Sequence, residues 1–353
     1  SGPVGLAKKW VHKLTAINPA IDGVLVMPTG SGEPLTQALV EANVVEHAEL
    51  AEMSSLCIDS SKDIFLYFST MAKPKLACYL VPRDKGAQIK QDRDAIYRAL
   101  GTLVPKPLAL IETGNQSVFV ESGLSGCPWF QLLRNQQTSW EETKRIAVTT
   151  LRQFQQNVLG NPQWQAKQAL VREVESQFKL SAGNSPRLAA MEALPPLVKR
   201  LTKTLPAEAI ESFDQHGDFC INNLLFLADS AQIIDWDEFG HNKMPLQDEI
   251  CLALSFHNAE GKHGLAGLDS NMQMAMQGSC WLSRLSAAGC SAMFLYHLLY
   301  RLGEWGNNPN RAGICDWLLR ILEEFVASPD DLFSWMSVRE EDISSTLSSI
   351  QTN

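Results

Sequence analysis

The chain has 353 residues, of which 45% are hydrophobic and 20% charged, as expected for a globular protein of one large or two medium domains. Its net charge of −9 is spread along the sequence, which argues against a nucleic-acid partner because such a partner requires a basic surface, but it does not exclude a cationic substrate. No apolar run approaches the ~20 residues of a membrane span, and the first residues lack the apolar core of a signal peptide, so we expect a cytoplasmic protein without a membrane partner.

The cysteines and histidines do not form a metal-binding pattern. The eight cysteines are scattered and include no C-x-x-C pair, and the seven histidines show no metal-ligand spacing. This distribution predicts reduced, buried thiols rather than a disulfide framework or a zinc site.

Strand patterns dominate the first third of the chain. Residues 3–16 predict a short leading helix, and residues 22–27 predict a strand followed by the loop 28–34. This loop contains Gly-x-Gly but lacks the third glycine and the Lys-Ser/Thr of a phosphate-binding loop, so we interpret it as a plain loop. Residues 35–53 fit either a helix or a pair of strands.

Four further strands and one helix follow. Aromatic and β-branched residues predict strands over 64–68, 76–81, 108–112 and 117–121, and apolar residues at helical spacing predict a helix over 83–100. The segment 121–126, rich in Gly and Ser, is interpreted as a linker. We therefore expect a strand-rich domain over 1–121 and a second domain over 122–353.

The second domain is predicted to be helical. Ser139, followed three residues later by Glu142, forms a capping box that predicts a helix up to residue 159. Periodic apolar residues predict further helices over 163–180, 187–204, 246–258, 271–288, 290–305 and 312–327. Together the two domains predict the α+β class.

The strongest functional pattern lies within residues 215–239, QHGDFCINNLLFLADSAQIIDWDEF. Two short apolar strands, 224–227 and 232–234, are joined by a turn and carry polar residues at their outer ends. Because the start of one hairpin strand lies beside the end of the other, we expect Asp218, Asn223 and Asp235 to converge. Two carboxylates and a carboxamide suit Mg²⁺ and a phosphate. The alternative is an ordinary buried hairpin with polar ends.

This motif of His-Gly-Asp, Asn five residues after the Asp, and a hairpin ending in Ile-Asp-Trp-Asp resembles the aminoglycoside phosphotransferase / choline kinase-like family. That family has a two-lobed protein-kinase-like fold, with a small β-rich N-terminal lobe that holds the nucleotide and a larger helical C-terminal lobe. The resemblance implies ATP- and Mg²⁺-dependent phosphoryl transfer to a hydroxyl of a small molecule, such as an amino-sugar or a choline-like alcohol. The alternative is a kinase-like protein that binds a nucleotide or a partner without catalysis.

The resemblance assigns roles to individual residues. Asp218 would accept the proton of the substrate hydroxyl and orient it. Asp235 would bridge Mg²⁺ to the β- and γ-phosphates of the nucleotide, and the side-chain oxygen of Asn223 would hold a second ion. Glu121 begins the segment that lines the adenine pocket in the family.

Three residues near the motif are interpreted as supports. His216 would brace the loop by hydrogen bonds rather than act as a base, and Asp237 would anchor the loop or bind a substrate amine. Asp248 resembles an aspartate that supports the catalytic loop in the family, although a simple helix cap explains it equally well.

One position departs from the family pattern. Kinases of this fold carry a Lys on the third strand of the small lobe, paired with an acid on the next helix. Tyr79 stands where that cation is expected, and Asp92 or Asp94 would be the helix acid. Either Lys73, Lys75 or Arg83 substitutes for it, or the alignment is shifted by several residues, or the site lacks the cation.

Overall fold

The computed structural model describes residues 23–28, 34–59, 64–69, 73–114, 116–158 and 163–336. The predicted leading helix, the Gly-x-Gly loop and residues 337–353 lie outside these ranges. The chain divides into two compact units, and each is described separately. The first contains the chain up to Thr138 together with Leu224–Ile234, and the second contains Ser139–Asn223 and the chain from Asp235 onward. Residues 122–138 and the hairpin thus group with the first unit, whereas the sequence-based boundary lay at residue 121.

The first unit is built on a six-stranded antiparallel sheet. Its strands are β1 Gly23–Pro28, β2 Ser54–Asp59, β3 Ile64–Phe68, β4 Pro74–Pro82, β5 Pro107–Thr113 and β6 Gln116–Ser122, in the spatial order β1-β2-β3-β4-β6-β5. The sequence did not reveal β2 or the short strand β7 Cys127–Pro128, which pairs with a strand of the hairpin. Alternation along β4 directs Leu76 and Cys78 to one face, where they pack with Leu39, Leu50 and Val120 in a buried core.

Helices accompany this sheet in sequence. They are α1 Pro34–Glu41, α2 His47–Ala51, α3 Arg83–Leu100 and α4 Trp129–Arg134. Residues 35–53 are therefore largely helical, which decides between the two structures that the sequence allowed. The predicted helix over 83–100 is confirmed at both ends.

The second unit is mainly helical. Its helices are α5 Trp140–Val158, α6 Lys167–Asn184, α7 Pro186–Ala189, α8 Leu194–Lys203, α9 Gln247–Ala259, α10 Leu268–Met276, α11 Ala287–Trp305 and α12 Ala312–Ala327. With the sheet of the first unit, they confirm the predicted α+β class. Among the described helices, none is long and apolar enough to cross a bilayer.

Three helix predictions in this unit are wrong in part. The helix predicted over 187–204 is two helices, α7 and α8, which are separated by residues 190–193. Residues 163–165 form a short strand, β8 Gln163–Gln165, because they pair with β9 Ile210–Ser212. The predicted helix over 271–288 ends at Met276, since Gly278 adopts a left-handed conformation, with φ of +74°. In contrast, the Ser139 cap is confirmed, because its hydroxyl accepts a hydrogen bond from the Glu142 N–H at 3.1 Å.

Glu260, at the end of α9, fastens this helix to its neighbours. Its carboxylate accepts hydrogen bonds from Trp140 and Lys144 of α5, at 2.8 and 3.2 Å, and from Asn271 of α10 at 3.2 Å. Lys262 completes the cluster at 2.8 Å. Although burial opposes ionisation, these donors lower the pKa of Glu260 from its ordinary value of 4.5 to about 2. The cluster fixes α9, which carries Asp248 at its other end.

We expect Glu260→Gln to lower the free energy of unfolding by about 1–3 kcal/mol at neutral pH, because the donors lose a charged acceptor. The folded pKa is depressed, so this stabilisation is present above the ordinary pKa and is lost as the pH falls from 4.5 towards 2. Urea unfolding of both proteins at neutral pH and at about pH 3 measures the difference, which should shrink in acid.

Glu175→Gln is the matched control, since Glu175 is an exposed acid on α6. It should change stability little at either pH. An equal loss for Glu260→Gln at both pH values would contradict the assigned role of its charge.

Candidate active site

Asp248 holds the loop that precedes the hairpin. Its Oδ2 accepts a hydrogen bond from the backbone N–H of His216, and its Oδ1 accepts one from Gly217, both at 2.9 Å. The Asp248 N–H donates to Oε1 of Gln215 at 3.1 Å, which closes the connection. The carboxylate is thus bonded to the loop, and no described N–H of its own helix is capped by it. Burial raises the pKa of Asp248 to about 7, although the two N–H groups oppose this shift.

Gly217 is required by the shape of this loop. Its φ is +85°, and a Cβ at this position would lie 2.7 Å from the carbonyl oxygen of Glu238. Any other residue would be strained and would displace the turn after the hairpin.

His216 is completely buried and packs within an aromatic cluster. Its ring lies 4.7 Å from that of Trp236 and 5.8 Å from that of Phe219, and Phe154 packs against all three. The side chain therefore supports the loop through ring packing, while its backbone N–H donates to Asp248.

The Asp218 carboxylate is held at both oxygens. Arg301 donates to Oδ1 and Asn223 donates to Oδ2, each at 3.0 Å, and the Asn223 amide also donates to the Asp218 carbonyl at 2.9 Å. Burial disfavours the charged form, but Arg301, His216 and the Asn223 hydrogen bond together keep the pKa of Asp218 below its ordinary value. Sequence reasoning missed Arg301, which lies 83 residues further along the chain.

Asn223 and Asp235 lie at one end of the hairpin. Asn223 directly precedes β10 Leu224–Phe226, Asp235 follows β11 Ala231–Ile233, and Leu224 pairs with Ile233. Because the Asn223 amide nitrogen is bonded to Asp218, its amide oxygen remains for a cation. Asp235 is exposed, and no described side chain bonds to its carboxylate.

These two residues fit Mg²⁺ better than a metal that needs a full protein cage. No cluster of three or more His, Cys, Asp or Glu side chains arranged for a metal occurs in the described part of the chain. Mg²⁺ prefers hard oxygen ligands and usually takes few from the protein, with water and phosphate supplying the others. Asp237 is exposed beside Asp235 and its neighbour Trp236 is buried.

Glu121 occupies the end of β6 in the first unit. It is 4% exposed and lies opposite Ala77 of β4. The next two residues use their backbone N–H groups within the unit. Ser122 donates to the carbonyl oxygen of Lys106 at 2.9 Å, and Gly123 donates to that of Lys75 at 2.7 Å.

Tyr79 lies within β4, between Ile64 of β3 and Phe119 of β6. Two of the cations that could replace the expected Lys are engaged elsewhere. Lys75 pairs with Glu49 of α2, and Arg83 contacts Glu112 at 2.5 Å.

The candidate helix acids also have local partners. Lys90 donates to Asp94 at 2.6 Å, and the Gln88 amide donates to Asp92 at 2.8 Å, all within α3. Among the described residues of the first unit, no ion pair joins a cation of β4 to these acids.

A model of the phosphotransferase enzyme family matches residues 66–269, which is more than half of the chain. This match, with the sheet order and the helical second unit, confirms the predicted protein-kinase-like fold. A search of curated proteins gave no match.

Several solved structures are similar to the chain. An aminoglycoside phosphotransferase from Streptomyces rimosus has 13% identity and a TM-score of 0.44, and the alignment covers 76% of this chain and 98% of that one. A choline/ethanolamine kinase family protein from Mesorhizobium loti has 15% identity and a TM-score of 0.46, with 94% and 98% covered. A putative fructosamine-3-kinase from Haemophilus somnus has 12% identity and a TM-score of 0.47, with 86% and 96% covered.

Asp248→Asn tests the support of the loop. The amide replaces one acceptor oxygen with a donor, so one loop N–H loses its partner, and we expect a loss of about 1–3 kcal/mol in the free energy of unfolding. Hydrogen exchange at the His216 and Gly217 amides should accelerate more than global unfolding requires. The control is Asp269→Asn, in the first turn of α10. Unchanged exchange at both amides would refute the proposal that the Asp248 carboxylate holds this loop.

Proposed function

The chain belongs to the phosphotransferase enzyme family, and from this premise we propose that it transfers the γ-phosphoryl group of ATP to a hydroxyl of a small molecule. The observation that carries the proposal is the Asp218 carboxylate, held at both oxygens in a loop that Asp248 fixes. Phosphoryl transfer depends on positioning and charge more than on covalent chemistry of the protein. A rigid, ionised carboxylate supplies both.

Asp218 accepts a hydrogen bond from the acceptor hydroxyl. As the hydroxyl oxygen forms its bond to the γ-phosphorus, the bond to the β–γ bridging oxygen breaks, and Asp218 takes the proton. Because a depressed pKa makes the carboxylate a weak base, its larger contribution is to direct the hydroxyl in line with the leaving group.

Asn223 and Asp235 would hold Mg²⁺ through the Asn223 amide oxygen and the exposed Asp235 carboxylate. When bound, the ion neutralises charge on the phosphates. Asp218 retains its own hydrogen bonds and orients the acceptor. His216 and Asp248 keep the loop in place, and Asp237 anchors the turn or contacts an amine of the acceptor.

The nucleotide and the acceptor complete the proposal. Glu121 begins the segment that would line the adenine site, whose contacts come mainly from the backbone. An amino-sugar or a choline-like alcohol is the proposed acceptor class, and the proposed location is cytoplasmic.

Tyr79 favours a second candidate function, a kinase-like protein that binds a nucleotide or a partner without catalysis. Lys75 and Arg83 pair with Glu49 and Glu112, so either cation would have to leave an acid before it could replace the expected strand cation. Loss of one preorganised charge can cost roughly 10²–10³ in rate. Asp218, Asn223 and Asp235 favour the catalytic proposal.

We expect Asp218→Asn to lower kcat by at least about 10², because the amide cannot accept the proton of the acceptor hydroxyl. ADP release with ATP, Mg²⁺ and a panel of amino-sugars and small alcohols provides the measurement. Asp229→Asn is the matched control, since Asp229 is an exposed acid in the hairpin turn, and it should retain full activity. Turnover that survives Asp218→Asn would remove Asp218 from the mechanism, and wild-type protein without turnover would favour the binding protein.

Asp235→Ala tests the metal–nucleotide site. ATP with Mg²⁺ at 100 times the Kd should stabilise the wild-type protein by about 2.7 kcal/mol, seen as a rise in Tm. The rise should disappear in Asp235→Ala and in wild-type protein with EDTA, while Asp229→Ala should behave as wild type. A wild-type Tm that does not respond to ATP and Mg²⁺ would contradict the proposed site.

A further inference from the structure

We infer that Arg301 is a positioning residue for the phosphoryl transfer, acting by fixing the orientation of the Asp218 carboxylate. This inference rests on the proposed function and deepens it. Arg301 belongs to α11, and it lies outside both the His-Gly-Asp and the Ile-Asp-Trp-Asp motifs.

Arg301 connects both sides of the catalytic loop. Its Nη2 donates to the Asp218 Oδ1 at 3.0 Å and to the carbonyl oxygen of Gly217, and its Nη1 donates to the Glu238 Oε2 at 2.7 Å. The residue is only 1% exposed. One guanidinium therefore joins the residue before Asp218, Asp218 itself and the turn after the hairpin.

Packing fixes the guanidinium in this position. Its Cζ lies 4.6 Å from the ring centre of Trp305 and 5.6 Å from that of Tyr300, within the range of cation–π attraction. With both neighbours on the same helix, the side chain has little freedom to follow a moving carboxylate.

The two oxygens of the Asp218 carboxylate have different partners. Oδ1 faces Arg301, and Oδ2 accepts a hydrogen bond from Asn223 at 3.0 Å. The side chain is still 23% exposed, so a hydroxyl can approach it. Because each carboxylate oxygen accepts about two hydrogen bonds, Oδ2 has room for the acceptor hydroxyl. Without Arg301 the carboxylate could rotate about χ2, since that torsion is broad.

A lysine would not reproduce this arrangement. The guanidinium fork donates to a carbonyl and two carboxylates in fixed directions, whereas an ammonium on a flexible stem is a point charge. Retention of charge without the fork should therefore recover only part of the activity.

The test compares Arg301→Met, Arg301→Lys and Arg301→Ala with the control Lys144→Met, which removes another buried cation of the same unit, paired with Glu260. A displaced carboxylate should lower kcat by about 10² in Arg301→Met while the KM for ATP changes less than about threefold. Arg301→Lys should fall in between, and guanidinium added below denaturing concentrations should restore part of the kcat of Arg301→Ala. Lys144→Met should lose stability but keep the kcat of the folded protein.

Two results would overturn the inference. One is a kcat of folded Arg301→Met within about threefold of wild type. The other is a loss of kcat that neither Arg301→Lys nor guanidinium reverses, which would assign Arg301 a purely structural role. If the wild-type protein turns over and Arg301→Met does so equally, only this inference fails. If the wild-type protein never transfers phosphate, the proposed function and the inference fail together.

Discussion

The hydrogen bonds from two successive backbone N–H groups to the Asp248 carboxylate determine where the loop before the hairpin lies. Burial of a carboxylate is costly unless its oxygens are bonded, and an unbonded backbone N–H is costly as well. The carboxylate and the two N–H groups therefore offset each other's cost of burial. Gln215 extends the contact, because its side chain bonds to the Asp248 N–H and to the carbonyl of Met244. The start of α9 and the loop consequently form one rigid element.

The loop held by Asp248 determines the position of Asp218, whereas other residues determine its charge state. The hydrogen bonds to Asp248 fix the backbone of the loop, while Arg301 and Asn223 fix the Asp218 side chain. Arg301 is itself held by Glu238 and Trp305, so one buried guanidinium is shared by the carboxylates of Asp218 and Glu238. Removal of one member leaves an uncompensated charge, and the effects of single changes will not add.

The sequence predicted those parts of the molecule whose cause is local. The apolar hairpin strands, the aromatic and branched residues of β3 and the Ser139 cap each depend on neighbouring residues, and each predicted an element that the structure contains. The strand at 163–165 was missed because it exists only through pairing with residues distant in sequence. Arg301 was missed for the same reason. One local signal was available, since Arg301 is the only Lys or Arg in a largely apolar helix, and a buried cation requires an acidic partner.

The first unit bears on the choice between catalysis and binding. Arg83 and Lys75 pair with Glu112 and Glu49, and these pairs are exposed enough to contribute little stability. A bound triphosphate could therefore compete for either cation at small cost. If Tyr79 occupies the position of the strand Lys, these two paired cations are the nearby positive charges that could replace it. Activity without the strand Lys is thus physically reasonable, because neither exposed pair holds its cation firmly.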